Sequence, residues 1–345
     1  MNICSLNMSK AFDKLNCFIL FKKLMVRNCP LKFINILHAW FIVLCTIIKW
    51  GDCLSKMVYP IVGVRQGSVL SPLLFSVYVD DMLKCLQNSK LGCHVKYMCF
   101  NAFMYADDLL LVSISIFDLQ KLLNICEVEF CRIDMCTNVS KSDCLRIGPR
   151  FEIRLNPMVI DHKSIQCNNS LKYLGLTILS GKLLRYDFHT TKAKFFGSLN
   201  NIFGKIGNTS EIRILLHLIY SKCSPILMYG LDAIGTDKKV GDNIANVHNS
   251  IFAKLFGTFD KQIIERCHYF TGYLTFLDSL DLKRMQFLCK LSESRYGSPA
   301  QYMFYWFGSR ELENLKVKHG LQFTTSGQPR RWRNIMWSNF EKRAC

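Results

Sequence analysis

The sequence predicts an α+β fold, on three observations. Apolar residues recur at helical spacing over residues 9–50 and 72–86, the segment between Val95 and Leu179 carries short β-branched and aromatic runs, and from about Lys182 onward the spacing is mostly helical again. Half of the 345 residues are hydrophobic and a fifth are charged, a globular ratio that excludes a disordered or collagen-like chain. At roughly 100 to 200 residues per domain, the length suggests two or three domains.

The opening MNICSLNMSK has no charged stretch ahead of an apolar one, so no secretory signal is read and the chain is expected inside the cell, nuclear or cytoplasmic. Phe18, Phe21, Leu24 and Met25 sit at helical intervals, with a break at Asn28 to Pro30. The longest apolar run noted, Ala39 to Ile48, is too short to span a bilayer; it reads as a buried helix, and no membrane partner is expected. After a glycine-containing loop, a helix opens with Ser71 as N-cap and Pro72 in its first turn, and Leu73, Leu74, Val77, Tyr78, Met82, Cys85 and Leu86 share one face. Val95 to Ser113 reads as a β-hairpin interrupted by Asp107 and Asp108, residues 117–136 as a helix, and Cys144 to Leu179 as short strands with turns at Gly148–Pro149 and near Asn168. Ser326 to Arg333 reads as a polar linker into a basic tail. The seventeen cysteines include no C-x-x-C pair and read as reduced core thiols; Cys93–His94 and Cys267–His268 lack a second ligand pair at zinc-finger spacing.

Lys and Arg number 44 against 26 acids, a net +18, and residues 151–345 carry +12 of it. Such an excess predicts a polyanionic partner, nucleic acid first and an anionic membrane surface second. Between Lys182 and Lys222 seven basic residues face two acids, which makes Lys182, Arg185, Lys192, Lys194 and Lys205 candidate phosphate contacts; Arg330, Arg331, Trp332 and Arg333 combine phosphate pairing with a stacking surface.

Two Tyr-x-Asp-Asp tetrads occur, at Tyr78–Asp81 and Tyr105–Asp108. Adjacent carboxylates offer oxygens to a hard cation such as magnesium. The first pair falls on the solvated face of a helix. The second interrupts an apolar strand pattern, where two like charges are costly without a compensating partner, so Asp107 and Asp108 are the candidate metal ligands. In GVRQGSVLSPLLF, Gly63 to Phe75, glycines permit close backbone approach, Arg65 can pair with phosphate and Gln66 can bond a sugar or base edge; from the pattern alone a plain glycine turn capping a helix is the commoner reading.

Taken in order, SLNMSKAFD, GVRQGSVLSPLLF and MYADD resemble the reverse transcriptase of a non-LTR (LINE-type) retrotransposon. The resemblance extends to NVSKSDCLRIG and to SLKYLGLTI and covers about residues 1–235. It implies a right-hand polymerase palm of antiparallel sheet and packed helices over 1–180, a helical thumb over 181–235, and a C-terminal helical extension over 236–345. The implied reaction copies an RNA template onto a DNA primer from deoxynucleoside triphosphates, with Mg2+ (or Mn2+) held by Asp107 and Asp108 in a two-metal displacement. Phe12, Arg65, Gln66, Gly67 and Lys141 fall on positions that contact the incoming nucleotide, Phe12 as the residue that blocks a ribose 2′-hydroxyl.

The sequence departs from that pattern at one catalytic position. Five residues before Phe12, where the family places an aspartate, stands Asn7; Asp13 lies one residue past Phe12 and is not expected to substitute. The first motif lies close to residue 1, so the fingers, with the basic residues that clamp the triphosphate, are expected to be absent. The expectation is a reverse transcriptase fragment with impaired activity; the alternative is a catalytically inactive nucleic-acid-binding remnant.

Overall fold

The structure, a computed structural model, describes residues 1–345 apart from 61, 66, 154–155, 207–210, 236, 322–328 and 345. It forms two compact units, Met1–Asp187 and Phe188–Cys345. In the first, β1 (Asn2–Asn7) leads to α1 (Cys17–Val26), α2 (Leu31–Ile42), the hairpin β2 (Lys49–Trp50) and β3 (Cys53–Leu54), and α3 (Ser71–Asn88). Two hairpins follow, β4 (Cys93–Val95) with β5 (Met98–Phe100) and β6 (Ala102–Tyr105) with β7 (Asp108–Ser113). After α4 (Ile116–Arg132) come β8 (Asp143–Arg146), β9 (Met158–Ile160), β10 (Lys163–Cys167), β11 (Ser170–Tyr173), β12 (Leu176–Leu179) and β13 (Arg185–Asp187).

Six strands form one sheet in the order β6-β7-β1-β8-β10-β9, antiparallel except where β8 runs beside β10. The alternation of β1 sends Cys4 and Leu6 to a core shared with Leu74, Phe75, Tyr78 and Met82 of α3 and Leu119, Leu122 and Cys126 of α4. Ile3 goes to the other face, where Leu110, Val112 and Leu145 pack on Leu171 and Ile178 of the small sheet β11-β12-β13. Burial on both faces is what a central strand requires. The helical reading of residues 9–50 starts after this strand and misses it.

Asn16 caps α1, its side chain accepting from Phe18 N–H, and Asn28 takes a positive φ of 55° at the break before α2. In α3, Leu70 occupies the N-cap; the Ser71 hydroxyl instead donates to the Arg65 carbonyl at 2.6 Å, and Leu73 is exposed. The run Ala39–Ile48 is not a buried helix. Its helix ends at Ile42, and Ile42, Val43, Ile47 and Ile48 are exposed where β-branched residues turn the chain extended toward β2. Nor do all the cysteines lie in the core: Cys4, Cys126, Cys144, Cys223 and Cys289 are buried, while Cys45, Cys53, Cys131, Cys136 and Cys167 are exposed.

The second unit is helical: α5 (His189–Ile206), α6 (Ile212–Leu218), α7 (Ser224–Met228), α8 (Leu231–Ile234), α9 (Lys238–Phe256), α10 (Lys261–Thr271), α11 (Phe276–Ser292), α12 (Pro299–Met303), α13 (Ser309–Lys318) and α14 (Pro329–Ala344). Residue 235, an expected domain boundary, is spanned by one core that joins Phe195, Leu199, Ile219 and Leu227 to Ile244, Phe252 and Phe276. The other expected boundary, after residue 180, precedes β13, which pairs with β12 inside the first unit. Ile212–Ile234 is long and apolar enough to cross a bilayer, but it breaks at Gly230, with φ of 76°, and Leu215, Leu216, Ile219 and Leu227 are buried in this core. Arg284 of α11 forks onto Glu311 at 2.8 and 2.7 Å and donates to the Asp232 and Ala233 carbonyls, tying α8, α11 and α13 together. Of the expected linker, residues 326–328 lie outside the described residues and Pro329–Arg333 open α14. Trp332 is 1% exposed and packs with Met285, Leu288 and Met336, so it offers no stacking surface. Composition marked it as basic-tail sequence, whereas an amphipathic helix turns its indole inward.

Candidate active site

The two tetrads have different fates. Tyr78 is fully buried on α3, its hydroxyl donating to the Ile133 carbonyl at 2.6 Å. Asp80 and Asp81 face α1, where Arg27 meets Asp80 at 2.7 Å and Lys23 meets Asp81 at 2.9 Å, and Lys84 reaches Asp80 at 2.7 Å along the helix. The pair expected as solvated charges is therefore neutralised by three cations. Burial pushes the Asp81 carboxyl up, but the Lys23 hydrogen bond and the charges of Lys23, Arg27 and Lys84 outweigh it and hold the group below its ordinary value.

Asp107 lies in the turn between β6 and β7, after Ala106 with its positive φ of 52°, and Asp108 is the first residue of β7. Both are half-buried, at a hairpin tip rather than within the apolar strand, which is buried from Leu109 onward. Register places Asn7, the last residue of β1, directly opposite Asp108. Burial first, and the neighbouring charge of Asp107 second, raise the Asp108 carboxyl above its ordinary value, while a hydrogen bond from the Asn7 side chain pulls it down. Tyr173, at the end of β11, also feels this tip: burial and the charge of Asp108 push its hydroxyl up to about 12, and it donates to the Phe103 carbonyl at 3.3 Å. In the sequence Tyr173 only marked a motif; its approach to Asp108 comes from packing of the small sheet.

The other candidates assemble through backbone contacts. Asn138 N–H donates to the Asn7 carbonyl at 2.8 Å and Asn7 N–H to the Ser142 hydroxyl at 3.2 Å, so the turn that carries exposed Lys141 brackets Asn7. Phe12 is half-buried, 4.9 Å from the Phe75 ring, and its carbonyl accepts from Val64 N–H while Gly63 N–H donates to the Leu15 carbonyl. A Cβ at Gly63 would stand 2.7 Å from the Asp13 carbonyl oxygen at φ of 94°, so only glycine lets the two motif segments meet. Arg65 and Gly67 are exposed in the following loop, and Gln66 lies outside the described residues. Lys182 and Arg185 are exposed on the first unit. Lys192, Lys194 and Lys205 belong to α5 of the second, where Lys194 and Lys205 are exposed and Lys192 is engaged with Asn243 at 2.6 Å.

Asp107 and Asp108 supply adjacent hard oxygens whose mutual repulsion a divalent cation would relieve, which fits Mg2+ or Mn2+. The third donor at this edge is a neutral amide, and among the described residues no group of three or more His, Cys, Asp or Glu side chains could hold a metal ion. The donor set suits one divalent ion better than two.

The first unit is thus α+β, with paired carboxylates at one end of its central sheet. The family model for reverse transcriptase (RNA-dependent DNA polymerase) matches residues 2–178, just over half of the chain, and the chain belongs to that family. Relatives include the retrovirus-related Pol polyprotein from the type-2 retrotransposable element R2DM of Drosophila melanogaster, 28% identical over 184 residues, 50% of this chain and 17% of the relative. Its counterpart from the type-1 element R2 of Popillia japonica is 27% identical over 187 residues, 52% of this chain and 31% of the relative. These are non-LTR retrotransposon proteins, and the chain spans less than a third of the length of either. Among solved structures, apo telomerase from Candida tropicalis aligns over 98% of this chain and 53% of its own at 14% identity and a TM-score of 0.43. Telomerase from Candida albicans with a fragment of telomeric RNA aligns over 88% and 50% at 14% identity and a TM-score of 0.38.

Proposed function

We propose that the first unit is the palm of an RNA-directed DNA polymerase and that Asn7 limits its chemistry. The reading rests on one observation, the register that sets Asn7 against Asp108 beside Asp107 in a chain of the reverse transcriptase family. Asp107 and Asp108 hold the divalent ion, which when bound supplies charge for the attacking hydroxyl and the departing pyrophosphate. The Asn7 amide orients Asp108 without adding charge, Phe12 and the Gly63–Gly67 loop border the incoming nucleotide, and Lys141 stands on the turn that braces Asn7. An RNA template and a DNA primer are the partners, with thumb contacts from Lys182, Arg185, Lys192, Lys194 and Lys205.

A second reading, nucleic-acid binding without chemistry, is favoured by the amide itself. Metal-dependent primer extension on an RNA template separates the two. The chain as it stands should extend slowly or not at all, and Asn7→Asp should raise the rate by roughly tenfold to a thousandfold, about one to four kcal/mol of barrier. No extension by either, together with salt-sensitive binding to primer-template, selects the second reading.

A further inference from the structure

Apart from the Asp107–Asp108 tip, the second unit holds a cavity of about 430 Å3 lined from α7, α9, α11 and α14. Its volume is within the roughly 300 to 1,000 Å3 of sites that enclose a small organic molecule. One wall is aromatic: half-buried Tyr273 stacks on Tyr220 at 3.6 Å between centroids and 3° between planes, while Phe276, 1% exposed, belongs to the core and lies 5.1 Å from the His248 ring. His248 is fully buried. Its Nε2 is 3.0 Å from the Ser224 hydroxyl, whereas its Nδ1 has no hydrogen-bond partner.

Lys283, Gln286 and Arg333 also line the cavity, and among the described residues none of the three has a hydrogen bond or ion pair. Among the described residues no Asp or Glu lines it. The lining thus joins the Tyr220–Tyr273 pair and a free amide to two cations with no counter-charge among the described residues, and that combination selects an anion carrying a planar ring.

We propose that this cavity binds an unpaired nucleotide, its base against the half-buried Tyr220–Tyr273 pair and its phosphate on Lys283 and Arg333. Aromatic faces accept any base by stacking, and the cations recognise phosphate irrespective of sequence. The nucleotide is either free or part of a single strand.

The test uses the full chain in EDTA, so that no divalent ion recruits nucleotide to the palm. Calorimetric titration compares AMP, adenosine and ribose 5-phosphate, and then an eight-nucleotide strand with its own duplex. AMP should bind saturably, about a hundredfold more tightly than adenosine and about tenfold more tightly than ribose 5-phosphate, and Lys283→Ala or Arg333→Ala should each weaken it about tenfold, the loss expected for one charge-assisted contact. Photolabelling with 8-azido-AMP should mark the peptide that holds Tyr273 and Phe276. A single strand that outcompetes its duplex identifies the occupant as part of a strand, and binding by AMP alone identifies a free nucleotide. Absence of saturable binding, equal affinity for AMP and ribose 5-phosphate, or labelling confined to other peptides overturns the proposal. Asp107→Asn must leave this binding intact, so a failure here is distinct from a failure of the palm reading.

Discussion

The amide of Asn7 does two things at once: it satisfies Asp108 and denies the site a charge. Because the folded chain holds the Asp108 proton to higher pH than the ordinary 3.8, the native state binds more protons in the window above that value, and stability falls as pH rises through it. In EDTA, Asp108→Asn should therefore melt slightly above the parent at neutral pH, with the difference closing as pH falls toward the carboxylate range. Scanning calorimetry across pH checks this, and added Mg2+ should raise the parent's melting temperature alone. Asn7→Asp should raise the Asp108 titration further in EDTA and tighten Mn2+ binding by roughly tenfold to a hundredfold, since affinity follows ligand charge count. Carboxyl NMR and paramagnetic broadening measure the two effects.

At the level of elements, the meeting of two loops and a helix sets the site. Gly63→Ala forces a Cβ onto the Asp13 carbonyl at an unfavourable φ and should cost about 1 to 3 kcal/mol in urea unfolding. Tyr78→Phe leaves the Ile133 carbonyl short of its donor and should cost about 1 to 2 kcal/mol, with helicity unchanged by circular dichroism. The helices α3 and α4 were legible in the sequence because their buried residues recur every three or four positions over long stretches. The strand β1 was not: NICSLN mixes amide and hydroxyl with apolar residues, and its polar members are satisfied by distant partners, Asn2 by the Ile114 carbonyl and Arg146. The apolar neighbours of Asp107 and Asp108 suggested a buried strand, whereas the pair lies half-buried at the tip of the β6–β7 hairpin. The ion pairing of Asp80 and Asp81 and the pairing of Asn7 with Asp108 depend on contacts between segments far apart in the chain, which periodicity does not encode.

Across the molecule, the two units place their titratable groups differently. The second buries His248 and His268, which burial drives down to about 3 and about 4, with His268 adding to the effect on His248. A histidine whose folded value lies below the ordinary 6.5 binds fewer protons than its unfolded form, so its contribution is full above 6.5 and is lost as pH falls toward the folded value. At about pH 5 the pair should have cost the second unit up to about 4 kcal/mol. Hydrogen exchange read by mass spectrometry should show α9 and α10 losing protection on mild acidification while β1 and β7 keep theirs. Uniform loss across both units would sink that expectation.

The register of β1 also has a hereditary consequence. Asn2 to Leu6 pair with β7 and Asn2 to Ser5 with β8, pairings that do not involve the side chain at position 7, so the scaffold that would present a third carboxylate is already built. Asparagine and aspartate codons differ by a single first-base transition. The chain thus stands one point mutation from a three-carboxylate edge, and a population of copies can cross that line in either direction without redesigning a single packing contact.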